Sequence, residues 1–352
     1  MEQIAFAHTR KILNDNLSVV FYDMTTLYFE ASDEDDLRKT GFSKDGKHQC
    51  PQIYIGLLVG LGGYAIGYDI FDGNIYEGDT LIPFLKNISG KFDIAQPIVI
   101  ADAGLLSKYN IKALEKENYQ YILGGKIKNE SVSLKAQILS DRYSDGTIKQ
   151  FKVNESTRLI VSYSDKRAKK DAYNRKRGLE RLEKNLKAGK LTKSSINNRG
   201  YNKYLQMEGK VNITIDYRKY EQDSQWDGLK GYVANTRLTD EQVLENYKNL
   251  WHIEKAFRIS KTDLRIRPIY HRLRHRIEAH ICIAFTAYCI YKDLERVLYD
   301  KKVPLSVRQA AELTNNMYQI EYVLPESKQT RTILLQMDNL QKILCKTILE
   351  NF

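Results

Sequence analysis

Residues 97–123 limit the architecture of this chain more than any other stretch. Residues 97–101, Pro-Ile-Val-Ile-Ala, carry no polar side chain. That is the pattern of a central strand buried on both faces. The run stops at Asp102, Ala103-Gly104 make a turn, residues 105–118 have the spacing of a helix, and residues 119–123, Tyr-Gln-Tyr-Ile-Leu, return to strand character. Strand, helix and strand at this length form a βαβ unit with a parallel pair. Ligands of such sheets gather outside the carboxyl ends of the strands, which is where Asp102 falls. A lone Asp after a strand is often only a helix cap, so a second strand-borne Asp elsewhere matters.

The second is Asp23. Residues 18–22, Ser-Val-Val-Phe-Tyr, run apolar up to it and Met-Thr-Thr-Leu-Tyr-Phe continues with strand character, so Asp23 is expected at or near the exit of a buried strand. Residues 52–60 and 65–71 are two further strands, joined by a turn at Gly62-Gly63. Three antiparallel strands in succession are expected. Residues 30–36 hold five acids in seven positions, and residues 41–47, Gly-Phe-Ser-Lys-Asp-Gly-Lys, are turn-rich. Together they predict a solvated excursion. A helix over residues 80–88 is expected, with Asp79 as its N-cap.

After residue 123 the texture changes. Residues 147–153 and 157–164 have the pattern of a hairpin turning at Asn154-Glu155, and strands are expected over 211–217 and 231–234. Between them, residues 165–190 predict a polar helix with eleven Lys or Arg against four acids. The expected domains are 1–123, the first part of an α/β core; 124–235, a β-rich insertion with the basic helix; 236–300, the rest of the core; and 301–352, a C-terminal region of short helices and one strand pair. The net charge is +11 and there are 24 tyrosines. Both suit a polyanionic partner, and the basic helix offers Lys169, Lys170 and Arg175 to a phosphate backbone. Cys50, Cys282, Cys289 and Cys345 form no CxxC pair, which points to free thiols in a reducing cytoplasm. Residues 1–16 do not have the pattern of a signal peptide. The most apolar stretch, 279–291, is too short to span a bilayer, so no membrane partner is expected.

Residues 246–276 have the spacing of a long helix running into a basic tail. Tyr247, Leu250, Glu254, Phe257 or Arg258, and Lys261 recur at steps of three and four, so they are expected on one face. A carboxylate on a core-facing stripe needs a cation or a metal. Lys261 is two turns away, too far for a simple pair, so a metal is the sharper reading, and a surface pair with Arg258 the blander one. Residues 255–276 hold eight Lys or Arg and one Asp. Arg258, Arg265 and Arg267 belong to that run. His252, His271, His275 and His280 form no HExxH, and core or phosphate-contacting roles suit them better than zinc. Trp226 suits a buried core position better than stacking on a displaced base. Asp23, Asp102 and Glu254 together would make a hard-oxygen site for Mg²⁺ or Mn²⁺, the kind used for in-line phosphoryl displacement.

The words around these acids resemble a known family. Residues 22–30, YDMTTLYFE, 99–107, VIADAGLLS, and 247–272, YKNLWHIEKAFRISKTDLRIRPIYHR, are similar to bacterial insertion-sequence transposases of the DDE type. The match is to the branch with a Tyr, Glu, Lys signature around the catalytic glutamate. GFSKDGK, and FDGN followed by TL, also look like family words. The resemblance covers roughly residues 17 to 300. It implies an RNase H-like fold, a five-stranded mixed sheet flanked by helices with a β-rich insertion between the second Asp and the Glu. It implies Asp23, Asp102 and Glu254 as catalytic and metal-holding residues, with Tyr247 and Lys261 on the end DNA near the scissile phosphate. Leu250 stands where the wider pattern has Arg, and Leu250-Trp251 resembles a subgroup mark. The implied activity is metal-dependent cleavage of double-stranded DNA at transposon ends, then strand transfer into target DNA by a homodimer in a synaptic complex at the bacterial nucleoid. The first Asp-bearing strand starts within about 20 residues of Met1, whereas the family usually has a DNA-binding region ahead of it. End recognition is therefore expected elsewhere in the chain, or in a longer reading frame. Two alternatives are a truncated DNA-binding regulator and a stand-alone RNase H-like nuclease.

Overall fold

The computed structural model describes residues 1–92, 94, 96–208 and 212–351. They group into two units, Met1–Pro97 with Asn249–Phe352, and Ile98–Lys248. In chain order, the first unit opens with α1 (Glu2–Ile12), β1 (Val19–Tyr28), β2 (Gln52–Val59), β3 (Ala65–Asp72) and α2 (Leu81–Phe92). The second holds β4 (Ile98–Ala101), α3 (Lys108–Lys116), β5 (Tyr121–Gly125), α4 (Val132–Ser140), β6 (Ile148–Lys152), β7 (Arg158–Tyr163), α5 (Asp165–Lys187), β8 (Leu205–Glu208), β9 (Asn212–Ile215), α6 (Tyr217–Ser224), β10 (Leu229–Ala234) and α7 (Asp240–Lys248). The chain then returns to the first unit with α8 (Trp251–Thr262), α9 (Arg274–Asp300), α10 (Val307–Thr314), β11 (Gln319–Val323), β12 (Thr330–Leu334) and α11 (Asn339–Asn351). No helix among the described residues is long and apolar enough to cross a membrane.

In the first unit β3, β2 and β1 form the expected antiparallel set in that spatial order. All eight residues of β2 are buried, as a middle strand covered on both faces requires. Gly62 and Gly63 turn the β2–β3 connection with φ of +72° and +82°, a conformation that favours glycine. Strand β1 is ten residues long and Asp23 is the fifth of them. It therefore lies mid-strand, not at the exit, because Met-Thr-Thr-Leu-Tyr extends the ladder to Tyr28↔Gln52. The core below joins Leu27, Phe29, Ile53 and Ile55 to Ile266, Ile269, Ile277 and Ile281.

In the second unit β4 and β5 are parallel, with Val99 opposite Tyr121, and α3 crosses between them. Ser107 caps α3, its hydroxyl accepting the Asn110 N–H at 3.0 Å, so the helix starts at Lys108 rather than at residue 105. Such a cap is worth about 1 kcal/mol. The sheet continues antiparallel in the order β4-β5-β10-β7-β6. Only Gly178 and Leu182 of α5 are buried, against a small core with Tyr204, Leu205 and Ile215. Most of its charges are solvated. Val211, the first residue of an expected strand, lies outside the described residues, and Tyr217, its last, begins α6.

Further sequence expectations need correction. Residues 246–276 are not one helix: α7 ends at Lys248, and α8 begins at Trp251. The His252 and Ile253 N–H groups donate three residues back, to Asn249 and Leu250, at 3.0 and 3.2 Å. Asn, a weak helix former, stands at this break. The stretch 30–47 is largely exposed, as expected, but it is not solvated throughout: Leu37, Arg38 and Ser43 are 3–5% exposed. Finally, Asp79 sits in a 3₁₀ turn, Glu77–Asp79, ahead of α2.

Candidate active site

Side chains alternate along a strand, so Asp23 shares a face of β1 with Phe21, Thr25 and Leu27. Helix α8 covers that face. The Phe21 ring is 6.2 Å from the His252 imidazole, and Thr25 and Leu27 share a cavity of about 40 Å³ with Phe257, Ser260 and Lys261. Asp23 is the one member of Val19–Leu27 that is not buried. Its Oδ1 accepts the Met24 N–H at 2.7 Å and lies 3.8 Å from the Lys44 ammonium. Lys44 also donates to Glu77 Oε1 and to the Met24 carbonyl, both at 2.6 Å.

Glu254 lies on the same helix, but not on its packed face. Ile253, Ala256 and Ile259 are the buried residues of α8, and Glu254 and Arg258 are exposed. Two registers of three-and-four spacing run through this sequence, and the helix buries the apolar one. The argument from a carboxylate in the core therefore fails. Among the described residues no hydrogen bond or ion pair engages the Glu254 carboxylate, Arg258 included. His252, two residues before Glu254, is held below its ordinary pKa by burial and by the Lys292 and Lys255 ammoniums.

Asp102 belongs to the second unit. It is the residue after β4, it is exposed, and its Oδ1 accepts the Gly104 N–H at 2.7 Å. Tyr247 is in that unit too. It is 8% exposed, its ring meets Tyr232 edge-on at 4.9 Å, and the Lys230 ammonium lies 4.5 Å from it. A Cβ on Gly124 would stand 2.6 Å from the Tyr247 hydroxyl and 2.8 Å from the Ala103 amide nitrogen. The bare strand surface there lets Tyr247 pack beside the turn that carries Asp102.

The expected DNA-binding side chains fall into two groups. Lys169 and Lys170 on α5, with Arg258 and Arg265, are exposed. Arg175 and Lys261 are engaged inside their own units. Arg175 pairs with Asp227, at 12% and 17% side-chain exposure, and lines a cavity of about 440 Å³ with Lys128, Tyr204, Asp223 and the half-buried Trp226. Burial would raise the Asp223 pKa, but hydrogen bonds from Lys128, Lys203 and Tyr204 outweigh it and hold the carboxylate well below its usual range. Lys261 donates to both Asp45 oxygens at 3.2 Å, and Arg267 pairs with the same carboxylate. Burial pulls the Lys261 pKa down, against the opposing effect of Asp45. Lys44, Asp45 and Glu77 were missed by sequence reasoning. For Lys44 and Asp45 the signal was the Ser-Lys-Asp of GFSKDGK, noted as a family-like word but given no role; Glu77 had none. All four cysteines are free. Among the described residues no group of three or more His, Cys, Asp or Glu side chains stands assembled as a metal site.

The profile of the family described as Transposase DDE domain matches residues 15–290. No curated protein matches the chain. Among solved structures, the piggyBac transposase synaptic complex with hairpin DNA is similar at 9% identity with a TM-score of 0.45, over 99% of this chain and 57% of that one. The Mos1 transposase paired-end complex with left transposon end is similar at 11% identity and 0.22, over 34% of this chain and 40% of that one. The chain thus spans little more than half the length of the piggyBac protein and less than half of the Mos1 chain.

Proposed function

Because this chain belongs to the transposase DDE domain family, we propose that it cleaves double-stranded DNA at transposon ends and joins the freed end to target DNA. Asp23, Asp102 and Glu254 are the proposed catalytic residues and the ligands of Mg²⁺ or Mn²⁺. The observation that carries this reading is Glu254, an exposed and unpartnered carboxylate on the helix that covers the Asp23 face of β1. An acid in that position serves no packing or ion-pairing need of its own unit.

The residues fit a hard divalent ion. Carboxylate oxygens are the donors such ions prefer, and the surroundings of Asp23 already accept a cation, the Lys44 ammonium. A bound ion would supply charge stabilisation and activation of the attacking hydroxyl or water. The chain's own residues do the rest: Asp23 and Glu254 are offered by a strand and a helix, Asp102 by a strand end, and the backbone N–H groups of Met24 and Gly104 orient the two aspartates. Lys261, Arg258, Arg265 and Arg267 serve the phosphates near the scissile bond, and Lys169 and Lys170 the flanking duplex. Arg175 and Tyr247 act through packing. We further assign residues 124–235 as the β-rich insertion of an RNase H-like core, a homodimer as the active species, and the nucleoid as its place when DNA-bound.

The test is Asp102→Asn with a duplex bearing the terminal sequence that flanks the gene. Cleavage with Mg²⁺ should fall by orders of magnitude, while binding without metal persists or tightens as one negative charge is lost. Equal cleavage by wild type and variant would overturn the assignment and favour a DNA-binding regulator.

A further inference from the structure

Residues 39–48 form a loop held from several sides. Lys39 and Gln52 exchange backbone hydrogen bonds at 3.2 and 2.9 Å. The Phe42 carbonyl accepts from the Gln52 amide at 3.0 Å and from the Tyr54 hydroxyl at 2.9 Å. The Ser43 N–H donates to His48 Nδ1, and the Lys44 N–H to Thr26 Oγ1, both at 3.1 Å. A Cβ on Gly41 would lie 2.5 Å from the Gly73 carbonyl oxygen, so the loop is also pressed against the end of β3.

Two adjacent residues of this loop point at functional groups. Lys44 faces Asp23, and Asp45 receives both Lys261 and Arg267. The side chains of Asp45 and Lys261 are 14% and 12% exposed. An ammonium so poorly hydrated keeps its place only while an anion faces it. Two roles are open to such an anion. It can stand in for a phosphate and leave when DNA arrives, or it can fix the cations so that they meet DNA in one geometry. An anion that must leave belongs on a soft segment. Asp45 sits on a clamped one.

We propose that Asp45 is a positioning residue, which holds Lys261 and Arg267 where a DNA phosphate meets them. The proposal rests on the function proposed above, in which Lys261 is a phosphate contact. It makes a prediction of unusual sign. Simple electrostatics says that removing an acid beside two cations tightens DNA binding; a positioning role says that it loosens binding.

The experiment measures metal-free affinity for a short random-sequence DNA duplex by fluorescence anisotropy. The proteins are the full chain, Asp45→Asn, Asp45→Glu, Lys261→Ala, and Asp45→Asn with Lys261→Ala. Asp45→Asn should weaken binding about tenfold, and Asp45→Glu, which keeps the charge but moves it by one methylene, should fall between. In the Lys261→Ala background Asp45→Asn should have little further effect, since residues that act as a unit are not additive. Unchanged or tighter binding by Asp45→Asn overturns the proposal, as does a fully additive loss. Should Asp45→Asn fail to fold, Asp45→Glu decides: wild-type affinity means charge balance alone. If instead Lys261→Ala binds as wild type does, the phosphate-contact reading of Lys261 has failed, whatever Asp45 does.

Discussion

Replacing Asp23 by Asn separates a metal ligand from a structural counter-ion, and the structure sets the size of each effect. The Asp23 carboxylate lies 3.8 Å from the Lys44 ammonium, with side chains 20% and 29% exposed. Coulomb attraction at that distance is about 4 kcal/mol at an effective dielectric of 20, and about 1 kcal/mol in water. The pair is partly hydrated, and Lys44 keeps Glu77 and the Met24 carbonyl at 2.6 Å when Asp23 is neutralised. The loss without metal should therefore sit at the low end, about 1 kcal/mol or less. For a unit of about 200 residues that lowers Tm by at most about 4 °C. Metal binding works in the other direction: at a hundredfold excess over Kd, a ligand that binds only the folded state adds about 2.7 kcal/mol, or roughly 5–11 °C here. Thermal melts followed by tryptophan fluorescence in rising Mn²⁺ should show this gain for wild type and its loss in Asp23→Asn. A full metal-dependent gain in the variant would refute the ligand role. A metal-free drop of more than about 10 °C would show that Asp23 is chiefly a structural partner of Lys44.

Three further outcomes follow from the same geometry. Neutralising Lys169, Lys170, Lys176 and Arg177, all exposed on α5, should reduce the slope of log K against log salt for duplex DNA by about 3.6 if each meets a phosphate; an unchanged slope would make the helix a merely solvated one. Arg175→Met should leave that slope alone and instead lower stability by about 1–3 kcal/mol in urea melts, because Asp227 loses its partner in a poorly hydrated site. For His252 the sign is that of a depressed base: its folded pKa is below the ordinary value of about 6.5, so the unfolded chain protonates first and stability falls as pH drops below that value towards the folded one. His252→Phe should flatten this part of the stability–pH curve, and a curve parallel to wild type would show that His252 does not contribute.

The βαβ element was legible because residues 97–101 have no polar side chain, and only a strand covered on both faces suits such a run. The antiparallel set was legible from its turn glycines and its β-rich runs. The break at Asn249 was not, because one weak helix former is a faint signal and the three-and-four spacing of residues 247–261 runs through it undisturbed. The same double register hid the true exposure of Glu254. The clamp over residues 39–48 was invisible for another reason: five nearby acids dominate the local composition, whereas the anchoring of the Phe42 carbonyl comes from Gln52 and Tyr54, on strand β2. Lys44 and Asp45 draw their importance from partners that sequence distance conceals, 216 residues away in the case of Lys261. Asp23 and Asp102 stood out as candidates through their strands, although the strand around Asp23 runs on well past it.

The vacant side-chain position at Gly124 bears on how a mutational map of this protein would look. Every single-base change that converts a glycine codon to that of another amino acid adds a Cβ, and at Gly124 that atom would meet the Tyr247 hydroxyl and the Ala103 amide at 2.6 and 2.8 Å. No point mutation can therefore sample a milder alternative there. A saturation screen for loss of activity should score Gly124 alongside the three acids, although the residue carries no functional group at all. Intolerance in such a screen would mark the space reserved beside Asp102 as readily as the chemistry; Gly124→Ala with Tyr247→Phe removes the contact with the hydroxyl but leaves the one with the Ala103 amide, so recovery by that pair would trace the intolerance to the Tyr247 side and continued failure to the Asp102 turn.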